Sequence, residues 1–262
     1  MTRHLHFLAF LCLVAPRLFA QPMPLNTPSK PEPAPPPNEN FKEVAPGVLQ
    51  LGLVTLEPKQ RLIKIPAVVN MQDGVVEYFL VCQDGKIHES VLATKAQPIH
   101  LHLAMFLLGY KEQPNQAPAP QNLDLSGIGV PIHITLRWIA DGKEQQAPAE
   151  NWIWNNKKQE SMSAGDWIYN GSKILNGIFM AQQERSLISI IADPFALMNN
   201  PRPDRENDDI WKSRSETVPP VGTPVEVHIQ WPDVPSANLP PSPNEPLTPL
   251  PPAAPFIPSP SP

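Results

Sequence analysis

"VPIHITLRWI", residues 130–139, alternates apolar and polar side chains from Ile132 to Trp138. Val130, Ile132, Ile134, Leu136 and Trp138 fall on one face, and His133, Thr135 and Arg137 on the other. Side chains of a strand point alternately to its two faces, so a period of two marks a half-buried antiparallel strand. "PVEVHIQW", residues 224–231, repeats the pattern, with Val225, Val227, Ile229 and Trp231 inward and Glu226, His228 and Gln230 outward. This reading leaves His133 and His228 in solvent, without a role.

Turn signals extend the pattern in both directions. Asp73-Gly74, Asp84-Gly85 and Asp141-Gly142 each separate segments rich in β-formers, the pairing expected of tight hairpins. They predict strands near 48–56, 61–71, 75–83 and 86–92. "GDWIYNGSKILNGIFMAQ", residues 165–182, adds two strands with Asn-Gly turns at Asn170 and Asn176, and "SLISIIAD", residues 186–193, one more. Two segments read as helical. One runs from Pro98 to Leu108 and is stopped by Gly109; the other is a short turn around "ADPFALMNN", residues 192–200. The expected fold is mainly β in an α+β arrangement: an antiparallel, hairpin-rich sheet or partly open barrel packed on one buried helix over about 98–108.

The ends differ from this middle. Residues 1–20 read as a signal peptide, with Arg3 ahead of a short apolar run and Ala20 before the cleavage point. An N-terminal membrane anchor is the alternative. Residues 21–40 form a proline-rich linker and residues 233–262 a proline-rich, disordered tail, since proline removes a backbone donor and fixes φ. The tail is a spacer or a ligand for an aromatic groove. Residues 41–232 remain as a single globular domain.

Composition excludes several classes. Loss of the leader removes Arg3 and Arg17 and moves the net charge from −5 to −7. Lys157 and Lys158 are an isolated pair, so the basic footprint of a nucleic-acid binder is missing. No segment after the leader is apolar for 18 residues, which predicts no membrane span in the mature chain. The mature chain keeps one cysteine, Cys82, at the end of "VVEYFLVC". One thiol cannot form an internal disulfide, hold an iron–sulfur cluster or supply a cysteine-based zinc site.

Candidate chemistry concentrates in "GKIHESVLATKAQPIHLHLAMFLLG", residues 85–109, which holds His88, His100 and His102 beside Glu89 and Ser90. On a helix His100 and His102 lie about 200° apart, so they cannot jointly grip one metal. Structural histidines in a core helix are the favoured reading. His88, placed on a strand after a turn, shares a face with Ser90 while Glu89 points away. No Gly-x-Ser-x-Gly elbow accompanies Ser90, and no catalytic residue is assigned. One convergence stays open: His88 with His100 or His102 and Glu89, a ligand set that would suit zinc. Asp204, Glu206, Asp208 and Asp209 cluster, but without the glycine of a calcium loop, and read as a solvated segment. Trp152 and Trp154 offer an aromatic face for a glycan, set against the usual core role of such residues.

Five pieces in order, "GKIHESVLATKAQPIHLHLAMFLLGY", "WIYNGS", "SLISIIADPFALMNNP", "DDIWKSR" and "VPPVGTPVEVHIQW", resemble the YdjY-domain family of bacterial envelope proteins. The resemblance implies a secreted or periplasmic domain and carries no settled activity. Gly85-x-x-His88-Glu89-Ser90 matches the family's best-marked segment and is the first place to look for a site. The family's namesake has been labelled ferredoxin-like; with Cys82 alone, no redox role transfers and no cofactor is predicted. The expectation is a non-catalytic binding or structural module for an envelope protein or cell-surface polymer. The alternative is a metal-binding module or metal-dependent hydrolase using His88 with His100 or His102 and Glu89.

Overall fold

The computed structural model describes residues 41–110 and 129–231. The expected signal peptide, linker and tail lie outside the described residues.

Eight strands close into a barrel. In chain order they are β1 (Leu62–Val69), β2 (Tyr78–Cys82), β3 (Ser90–Thr94), β4 (Val130–Ala140), β5 (Trp167–Tyr169), β6 (Ser186–Ser189), β7 (Met198–Asn199) and β8 (Pro224–Gln230). Around the barrel they follow β1-β8-β4-β5-β7-β6-β2-β3, and β3 returns to β1. The three long strands β1, β8 and β4 build one wall, and their registered side chains stack in rows. Ile63, Ile229 and Ile134 stand side by side, as do Ile65, Val227 and Leu136. All six are buried, while Pro66, Glu226, His133 and Arg137 point out, as the period of two demands. Phe79 and Trp167, ring centroids 5.9 Å apart, fill the space between β2 and β5.

The opposite wall obeys a different rule. β2 pairs with β3 in parallel, and β6 with β7 in parallel. Every residue of β2, β3 and β6 is buried. Strands covered on both faces read as continuous apolar runs rather than alternations. The Asp84-Gly85 hairpin is therefore absent: residues 83–89 carry the chain back along β2 so that β3 starts beside Tyr78. Gly85 makes that return possible. A Cβ there would sit 2.7 Å from Arg185 Cβ and 3.2 Å from the Cys82 carbonyl oxygen.

Other turn signals divide. Asp141-Gly142, with φ of 52° and 72°, joins β4 to the strand Lys143–Pro148 in the left-handed turn that hairpins prefer. Asn176-Gly177, with φ of 52° and 78°, does the same between Ile174–Leu175 and Ile178–Phe179. Asp73-Gly74 makes no hairpin; Gly74–Val75 instead edges a four-stranded sheet with Trp211–Ser213, Ile153–Asn155 and Glu160–Ser161. Asn170-Gly171 also makes none. The turn expected around 192–200 contains the strand β7 instead of a helix.

The registers give the barrel two ends. β2, β3, β5 and β8 run toward one, here termed basal and its opposite apical, and β1, β4, β6 and β7 start from the basal end. Helix α1 (Pro98–Leu107) follows β3 at the basal end, and helix α2 (Met180–Glu184) precedes β6 there. Leu101, Ala104 and Met105 of α1 join the core. Pro98 occupies its first turn, and the free Ile99 N–H donates to Gln182 Oε1 of α2 at 3.2 Å. Gly109, at φ 95°, ends it. The fold is thus mainly β with few helices, and its barrel is closed, not partly open.

Candidate functional site

The structure separates the histidines of the 85–109 segment. His88 lies on a single 3-10 turn, Ile87–Glu89, at the apical start of β3, and not on a strand. Its side chain is 77% exposed and stands 3.6 Å from the Glu89 carboxylate. Ser90 is fully buried, and its hydroxyl donates to the Leu92 carbonyl at 2.8 Å. His100 and His102 are buried in α1, beyond the other end of β3. Five residues of strand span roughly 15 Å, so His88 and the two helical histidines sit at opposite ends of the barrel. Among the described residues no group of three His, Cys, Asp or Glu side chains is placed to hold a metal ion.

Close to His88 a different polar chain appears. Lys86 Nζ lies 2.6 Å from the Tyr78 hydroxyl and 4.5 Å from its ring centroid, and that hydroxyl donates to Asp193 Oδ2 at 3.0 Å. Burial and the Asp193 carboxylate push the Tyr78 phenol well above its ordinary range, so it remains a donor. Asp193 Oδ1 accepts the Phe195 N–H at 2.8 Å, which commits this network to holding the 190–199 segment on the barrel.

Two further expectations change. His228 is buried, not solvated, with Nε2 at 2.5 Å from Glu226 Oε1, whereas His133 is exposed as expected and pairs with Asp166 at 2.8 Å. Trp152 is wholly buried against Trp138, while Trp154 lies under the Arg214 guanidinium, so the two do not present one glycan face. In the acidic segment, Asp204 turns to Lys158 at 3.0 Å. The segment's neighbour Arg202, unassigned from sequence, is buried. It donates to Glu150 Oε1 at 2.7 Å and to the carbonyls of Ser163 and Gly165 at 2.5 and 2.7 Å.

The basal end carries what the sequence reading overlooked. α1 was expected to be buried all round because nearly every residue is apolar. Yet Leu103, Phe106 and Leu107, spaced i, i+3, i+4, are exposed along one face. Beside them the tip of the 174–179 hairpin exposes Ile174, Leu175 and Ile178. His102 joins the two pieces. Its ring meets Phe106 edge-on at 4.8 Å and Phe179 at 4.7 Å, and its Nδ1 lies 2.6 Å from the Tyr169 hydroxyl. Tyr110 stacks edge-on against Tyr169 at 4.4 Å and Phe106 at 5.6 Å. Burial holds the His102 pKa down at about 4, so the imidazole in this aromatic bed is neutral at neutral pH. Six exposed aliphatic or aromatic side chains thus stand on two elements that His102 joins. The signal was the i, i+3, i+4 spacing itself, hidden because the other helix face is equally apolar.

The family model of the YdjY domain matches residues 54–230, more than half of the chain and the whole of the barrel. No curated protein and no solved structure matches the chain.

Proposed function

The chain belongs to the YdjY-domain family, and from that premise we propose that it is a secreted or periplasmic envelope protein acting as a non-catalytic binding module. In this reading the sheet packs on one face of α1, and the basal face receives an envelope protein or a cell-surface polymer. The observation that carries the reading is the cluster Leu103, Phe106, Leu107, Ile174, Leu175 and Ile178. Contiguous apolar surface on a soluble fold, rimmed by polar groups, marks an interaction site. Lys95 and Lys173 flank it in sequence at the basal end.

Affinity capture from envelope extracts, with chemical crosslinking, tests this. Wild-type protein is expected to retain a defined set of partners that Leu103→Ser/Leu107→Ser loses while keeping its melting temperature. Equal recovery by both proteins, or none by either, would contradict the reading.

A further inference from the structure

We propose that residues 246–258 of this same chain dock on the basal face and are the occupant that a partner must displace. The inference rests on the reading of that face as a docking surface.

Three observations meet here. First, β8 runs toward the basal end, and Trp231 is fixed there beneath the Arg61 guanidinium at 4.7 Å, so the chain leaves the barrel on the side where α1 lies. Second, the sequence that follows has a strict period. Pro246, Pro249, Pro252, Pro255 and Pro258 recur every third residue, and so do Leu247, Leu250, Ala253 and Phe256. A polyproline II helix has three residues per turn, so this spacing would place the prolines on one edge and an unbroken apolar row on the next. No charged residue follows Glu245. Third, the face offers an apolar row, Leu103 and Leu107, with one partly exposed aromatic ring, Phe106, beside them. Aromatic-lined surfaces take proline-rich segments because the extended helix loses little entropy on binding.

Reach is sufficient. The stretch from Trp231 to Pro246 can extend to roughly 45 Å at about 3.1 Å per residue, more than the width of a small barrel. Tethering raises the effective concentration of the segment to about the millimolar range, so even a weak contact is populated within one molecule.

The test places the photo-crosslinker benzoylphenylalanine at position 106 of the full chain. On irradiation the monomer band is expected to carry an internal crosslink mapping to residues 246–258. Replacing Leu247, Leu250 and Phe256 with serine should abolish it and raise the fluorescence of an apolar-surface dye several-fold. A crosslink found only in a dimer band, one mapping only to other segments, or one that survives the triple replacement would overturn the proposal. Envelope capture separates the two claims. Partners without a tail crosslink would leave the binding reading standing and sink this inference; a tail crosslink without partners would do the reverse.

Discussion

At the scale of single residues, His102 shows how burial sets behaviour. Its pKa is held near 4, against 6.5 for an ordinary imidazole. Between those values the unfolded chain takes up a proton that the folded chain refuses. The stabilising contribution is therefore complete above pH 6.5 and is lost as pH falls toward 4. A shift of this size corresponds to roughly 3 kcal/mol. Urea denaturation at pH 7 and pH 4 should show the wild type losing about that much of its advantage over His102→Asn. An advantage unchanged with pH would count against a neutral, buried His102. Arg202 makes a second case. Glu150 and the backbone carbonyls of Ser163 and Gly165 all depend on its donors. Burial pulls its pKa down while Glu150 pulls it back up. Arg202→Met leaves the Glu150 carboxylate buried without its cation, and should cost about 3 kcal/mol or more in chemical denaturation. A loss under about 1 kcal/mol would mean that water replaces the guanidinium.

At the scale of elements, the long strands were legible and the short ones were not. β4 and β8 each alternate over most of their length, and the pairing of Val227 with both Ile65 and Leu136 uses that alternation directly. Asp141-Gly142 and Asn176-Gly177 formed the hairpins their residue types favour. Asp84-Gly85 did not, because barrel closure needs β2 and β3 parallel. The continuous apolar run Tyr78–Cys82 carried the sign of such a strand, buried on both faces, while the turn dipeptide pointed the other way. β5 and β7 are only three and two residues long, too short for any period to show. Helix α1 was legible in extent, yet its apolar residues all round concealed that one face is exposed. Gly85 belongs to this scale as well. Gly85→Ala drives a methyl group onto Arg185 Cβ, and stability should fall by about 1–3 kcal/mol. Arg185→Gly, which removes the Cβ that the new methyl group would meet, is the background that controls for crowding. A loss from Gly85→Ala that stays the same in that background would show that packing against Arg185 is not the cause.

At the scale of the whole molecule, barrel closure decides which residues can act together. Residues close in sequence, His88 and His100, are carried to opposite ends by β3, so no reading of local spacing could place them. The same closure gathers α1, the 174–179 hairpin and the end of β8 at the basal end, although their sequence positions are far apart. Added zinc or chelator is accordingly expected to leave the melting temperature unchanged; a zinc-dependent rise lost on His88→Ala would require a rearrangement that joins the two ends. The basal face is the centre of the account. Benzoylphenylalanine at position 106, compared in envelope extracts with the same group at exposed Val221, which lies beside β1 Val69 at the apical end, tests it most directly. Intermolecular adducts should form from position 106, grow when Leu247, Leu250 and Phe256 are replaced by serine, and be absent from position 221. Adducts equal at both positions, or none from position 106 even with the tail altered, would contradict the assignment of the barrel's basal end as its binding surface.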